Sequence, residues 1–121
     1  MATTSMFRTF GLVAVLLALA SPALADARDD ARAQVEFGIK VAQKGLWREA
    51  IYRWQRAIEI DPSYPAAYNN LAVAFEQEGN LEKAREAYEK ATELDPNNIM
   101  IRQNFDLFRE INDRTMRRGT Q

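Results

Sequence analysis

The sequence predicts an all-α protein, a short solenoid of helical hairpins closed by one further helix, and three observations predict it. The stretch RAIEIDP at residues 56–62 returns as KATELDP at residues 90–96, 34 positions later. Each copy is punctuated at matching offsets by a glycine (Gly45, Gly79) and a proline (Pro62, Pro96). The chain also has no cysteine, so no disulfide can staple a small fold and helix packing has to stabilise it. A fixed period of this length marks a stacked-repeat architecture, in which each unit buries its apolar face on a neighbour.

Taken in order, residues 1–25 read as a secretory signal peptide rather than as part of the fold. Arg8 is the single charge in the first nine residues, the apolar run FGLVAVLLALA spans Phe10 to Ala20, and Pro22 breaks it. Ala23, Leu24 and Ala25 then form a small-x-small site before the charged DARDD, which predicts cleavage after Ala25 and a periplasmic or secreted protein. Eleven apolar residues rise only about 16 Å as a helix against about 30 Å of hydrocarbon, so no membrane span is expected after cleavage. No cysteine follows the site to carry a lipid. The remaining 26–121 has room for one small domain. Without Arg8, 15 Lys and Arg face 17 Asp and Glu. That balance excludes the strongly basic field that nucleic acid or an anionic membrane would call for.

The first repeat occupies 31–62 and the second 65–96. Aligned, they match Ala33 with Ala67, Gly45 with Gly79, Ala50 with Ala84, Ala57 with Ala91 and Asp61 with Asp95. Substitutions keep size: Phe37 with Leu71, Gly38 with Ala72, Val41 with Phe75, Trp54 with Tyr88. Each glycine ends one apolar-periodic segment as a left-handed C-cap, and each proline stops the next. Helices are therefore expected at 29–44, 47–60, 64–78 and 81–94, with Asn80 as an N-cap and Glu82 in the first turn after it. Small residues at 38, 50, 57, 72, 84 and 91 let helices approach, while Phe37, Trp54, Leu71, Phe75 and Tyr88 fill the space beside them. Trp47 is expected beneath the turn and Tyr52 outward.

After the second repeat, Asn97 or Asn98 can cap a helix carrying Ile101, Phe105, Phe108 and Ile111 at helical spacing. Phe105 falls 34 residues after Leu71, so this segment reads as the first helix of an unfinished third unit. A capping helix over 97–115 and a frayed tail at 116–121 follow.

The residues Tyr68, Leu71, Ala72, Phe75, Ala84, Tyr88, Ala91 and Pro96 resemble the tetratricopeptide repeat pattern W-x2-L-G-x2-Y, A-x3-F, P. Phe37, Gly38, Ala50, Trp54, Ala57 and Pro62 resemble it again, with Gln34 and Val41 where aromatics are usual. The resemblance covers 31–96. It implies a non-catalytic scaffold or assembly adaptor that binds a protein or peptide.

The residue types point the same way. Without histidine or cysteine the chain lacks the commonest general base, the thiolate nucleophile and most transition-metal ligands. Its glutamates have the spacing of a solvated helix face, and no glycine-rich phosphate loop occurs. No catalytic residue, cofactor or metal is expected. Stacked hairpins instead offer a concave groove lined by the first helix of each pair. Counting along those helices turns Arg32, Val35, Ile39 and Gln43 inward from the first, Asn69, Val73, Glu76 and Gln77 from the second, and Gln103, Leu107 and Glu110 from the third. Some tetratricopeptide domains hold a terminal carboxylate there with Lys and Asn, but Val35 and Ile39 stand where such a clamp would begin. An apolar stripe flanked by amides suits a helix or an extended apolar segment. Self-association is the alternative: residues 31–62 sum to +2, 65–96 to −4 and 97–121 to +2, which would favour a head-to-tail homo-oligomer without a separate client.

Overall fold

The computed structural model describes residues 22–120. Five helices follow in order: α1 (Pro22–Gln43), α2 (Trp47–Ile60), α3 (Pro65–Gln77), α4 (Leu81–Leu94) and α5 (Ile99–Gly119). No strand occurs among the described residues. α1 pairs with α2 and α3 with α4 as tight hairpins, α3 stacks back on α2, and α5 stacks on α4. The result is the all-α short solenoid that the repeat implies. Residues 1–21, which hold most of the expected signal peptide, lie outside the described residues. No described helix is long and apolar enough to cross a membrane.

The two hairpin turns are alike atom for atom. Gly45 and Gly79 have φ of 78° and 75°, a region that costs other residues a Cβ clash. Behind Gly45, Leu46 N–H donates to Val41 O at 3.0 Å and Gly45 N–H to Ala42 O at 2.9 Å. Behind Gly79 the same pair runs from Asn80 to Phe75 at 2.8 Å and from Gly79 to Glu76 at 2.9 Å. This is a Schellman closure, in which otherwise orphaned carbonyls of the last turn find donors. Asn80 then caps α4 by accepting from Lys83 N–H, and Asn98 caps α5 by accepting from Ile101 N–H. α2 starts at Leu46 with no side-chain cap.

Two core clusters follow the two repeats. The first gathers Val35, Val41, Ala50, Trp54, Ala57, Ala67, Leu71 and Ala74, with Trp47 half-buried at its edge. The second gathers Ala72, Ala84, Ala87, Tyr88 and Phe108. Phe105 stacks on Tyr88 at 5.5 Å between ring centroids, and Phe108 tilts against it at 5.3 Å. These contacts, with buried Ile101, dock α5 on the end of the stack.

Three expectations change. Phe37 does not fill the core: it is 45% exposed, because no earlier described helix covers the face on which Leu71 is buried. α1 begins at Pro22, about two turns before residue 29, and Arg28 on this extension reaches the α2–α3 turn. α5 runs past 115 to Gly119, with Arg114 paired to Glu110 and Thr115 Oγ1 donating to Ile111 O at 3.0 Å, so helix replaces most of the expected frayed tail.

Candidate functional site

A cleft of about 560 Å³ runs across the concave side where the middle of α1 and the first part of α3 meet the start of α5. Helical spacing supplies its walls. Arg28, Arg32, Val35, Glu36 and Ile39 come from α1, Ala66, Asn69, Asn70 and Val73 from α3, and Met100, Ile101 and Asn104 from α5. Val35 forms floor rather than rim, since its side chain is buried and its carbonyl accepts from the Trp54 indole at 3.1 Å.

Four amides interrupt the apolar lining, Asn98 at the N-cap of α5 and three deeper in the cleft. Asn69 is only 5% exposed, and its Oδ1 accepts from Asn104 Nδ2 at 3.2 Å, tying α3 to α5. Asn70 Nδ2 donates to Ala66 O at 2.9 Å, one turn back in its own helix. Amides satisfied in this way keep acceptor capacity for a guest while their orientation is fixed.

The cations at the mouth are already paired. Arg28 Nε pairs with Asp61 Oδ2 at 2.5 Å, its Nη2 donates to Ser63 Oγ at 3.1 Å, and its guanidinium lies 4.9 Å from the Tyr64 ring centroid. Burial alone would raise the Asp61 carboxyl, but hydrogen bonds from Ser63 and Arg28 outweigh it and hold the group below the usual carboxylate range. Arg32 pairs loosely with Asp29 at 3.4 Å. Glu36 and Asp95 complete the rim. Both cations are committed to the protein's own acids, while Glu36 and Asp95 pair with no cation among the described residues, so an acidic edge borders the apolar part of the cleft. No group of three His, Cys, Asp or Glu side chains capable of holding a metal occurs among the described residues.

Of the expected inward residues, the structure brings together Arg32, Val35, Ile39, Asn69 and Val73. The others lie elsewhere. Gln43 and Gln77 are exposed at the far ends of α1 and α3. Glu76 turns away and accepts from the Tyr88 hydroxyl at 2.7 Å. Burial, and then this bond to Glu76, push the Tyr88 hydroxyl well above the ordinary phenol range. Gln103 lines a separate shallow hollow with Ile99, Arg102 and Asp106, Leu107 is exposed, and Glu110 pairs with Arg114. The place of α5 at the end of the stack is the cause. Burial of Ile101, Phe105 and Phe108 against α4 aims Met100 and Asn104 into the cleft, and no described helix follows α5 to close a groove on the side of Gln103 and Leu107. Strict periodicity carried this signal: Glu36, Asn70 and Asn104 are spaced by 34, as are Arg32, Ala66 and Met100, and all six line the cleft. Nothing in the repeat announced Arg28, which precedes it.

Comparisons with known proteins agree with this architecture. Residues 65–98 match the family described as tetratricopeptide repeat, and residues 41–79 match one described as TPR repeat. The type IV pilus assembly protein PilF of Pseudomonas aeruginosa is 37% identical over 82 residues, covering 67% of this chain and 32% of that protein. The tetratricopeptide repeat domain-containing protein PYG7, chloroplastic, of Arabidopsis thaliana is 28% identical over 85 residues, covering 70% and 28%. This chain therefore spans about a third of the length of these curated relatives. Among solved structures, that of Pseudomonas aeruginosa pilF superimposes with a TM-score of 0.67 at 33% identity, over 75% of this chain and 40% of the other. The Arabidopsis OM64 TPR domain superimposes with a TM-score of 0.66 at 22% identity over 73% of each chain, a likeness of fold alone.

Proposed function

We propose, from the premise that this chain belongs to the tetratricopeptide repeat family, that it is a non-catalytic adaptor holding a segment of another protein in the cleft between α1, α3 and α5. Proteins of this family are generally protein-interaction scaffolds. The observation that carries the reading is the cleft itself, a preformed concavity in which Val35, Ile39, Val73, Met100 and Ile101 alternate with amides, and in which Asn69 and Asn104 are fixed by their bond between α3 and α5. A site already held open by packed helices binds with little ordering cost on its own side. Ile39, Val73 and Met100 suit an apolar segment, helical or extended, with Asn70 and Asn104 beside it. The description of one relative as a pilus assembly protein supports an assembly role, and the leader-like residues 1–25 support a place in the cell envelope.

The test is capture in the native host. Tagged protein is crosslinked in place and its partners identified by mass spectrometry, beside an Ile39→Glu/Val73→Glu variant whose helix content is unchanged. One distinct protein recovered by the wild type and lost from the variant is the expected result. Recovery of the same proteins by both chains, or of no protein besides the bait, overturns the cleft as the site.

A further inference from the structure

We propose that the open face of α1 is an interface for a second copy of this chain, which docks there with the outer face of its α4. The face is defined by what the other first helices do. Ala67, Leu71 and Ala74 of α3 are buried against α2; Ile101, Phe105 and Phe108 of α5 pack against α4. Their counterparts in α1, 34 or 68 positions earlier, are Ala33, Phe37 and Lys40, and all three are exposed. α1 thus presents the surface on which its homologous helices receive a neighbour, with none in place among the described residues. The Arg53 guanidinium lies 4.4 Å from the Phe37 ring centroid and 5.5 Å from that of exposed Tyr52, covering the aromatic pair with a cation.

Charge selects the occupant. Lys40 and Lys44 lie one turn apart at the far end of this face, and neither has an ion-pair partner among the described residues. An acidic helix is called for. The chain's own residues 1–21 are unsuited, since they contain one charge, Arg8, and no acid. α4 is suited: Glu82, Glu86, Glu89 and Glu93 are exposed at spacings of four, three and four, one face of a helix about 16 Å long, and only Glu93 pairs with a cation, Lys90. The contact is taken as heterologous, head to tail, so a copy docked through its α4 still presents its own α1 face to the next and growth continues. It leaves the cleft unobstructed and holds whether or not the cleft binds a client.

Sedimentation of the protein purified from its host tests this. The expected mass rises with concentration, and association weakens about tenfold from 50 to 500 mM salt as exposed charges are screened. Lys40→Glu/Lys44→Glu and Glu86→Lys/Glu89→Lys, both of exposed residues, should each be monomeric. Mixed, they should associate again and grow in alternation, because the acidic α4 of one meets the basic α1 face of the other and the two reversed surfaces complement each other in turn. Phe37→Gln removes the aromatic without altering charge and should weaken growth if a swap variant loses helix content. A monomeric wild type, association indifferent to salt, or swap variants that associate alone or fail to pair when mixed overturns the proposal.

Discussion

The two repeats close the same joint with different atoms. In the first, Gly38 faces Trp54, whose indole N–H reaches the Val35 carbonyl of the opposite helix at 3.1 Å. A Cβ added at Gly38 would meet Trp54 Nε1 at 2.4 Å, so the indole occupies the space a side chain would need. In the second, Ala72 faces Tyr88, whose hydroxyl donates to Glu76 at 2.7 Å. The pair keeps a combined volume: the larger ring goes with the smaller partner, and each polar tip finds an acceptor on the first helix of its own hairpin. The repeat therefore conserves a joint rather than particular residues.

Removing the larger ring tests the joint hardest. Trp54→Ala should cost about 3–5 kcal/mol, read from the urea midpoint, because it empties the centre of the first core cluster. A loss under about 1 kcal/mol would show that the first hairpin does not depend on this contact.

Moving the first repeat toward the second sharpens the same comparison. Gly38→Ala alone overpacks against the indole at about 1–3 kcal/mol, while roughly 1 kcal/mol returns through helix propensity, leaving a net loss on the order of 1 kcal/mol. With Trp54→Tyr in the same chain, the alanine should become neutral or stabilising. A double-mutant cycle in denaturant measures the coupling, and additive effects would break the idea of a shared volume.

The polar tips make a finer test. Tyr88→Phe should cost about 1 kcal/mol at neutral pH through loss of the bond to Glu76. The Tyr88 hydroxyl ionises at higher pH in the folded chain than in the unfolded one. Its contribution is complete below the unfolded value near 10 and is lost as pH rises beyond it, so the deficit of the variant should shrink in alkali when midpoints are compared across pH.

The smallest effect belongs to the clip at the start of the first repeat, which the second lacks. Arg28→Ala should cost less than about 1 kcal/mol, because Arg28 is partly exposed. The Asp61 carboxyl is held low in the folded chain, so this pair contributes above the unfolded carboxylate range and is lost as pH falls. The wild-type advantage should therefore disappear in acid titrations followed by circular dichroism.

The sequence by itself determined the repeat, the turns and the helices, because each is local. Gly45 and Gly79 are read from the backbone angle they permit, Pro62 and Pro96 from the hydrogen bond they refuse, and Asn80 from the donor it can satisfy three residues on. The small and large positions were legible for the same reason, since spacing of 34 brings them into register whatever their identities. The cleft was half legible. Arg32, Val35, Ile39, Asn69 and Val73 follow from counting along helices flanked by partners on both sides or fixed by a hairpin mate. Tertiary structure alone decided the rest. α5 keeps the phase of the repeat as Ile101, Phe105 and Phe108 settle against α4, and Gln103 and Leu107 miss the cleft because no described helix follows α5 to close a groove on their side. Glu76 left the cleft because a buried hydroxyl lay within its reach, and Phe37 left the core because no described helix precedes α1: burial belongs to a residue's surroundings, which no single position encodes.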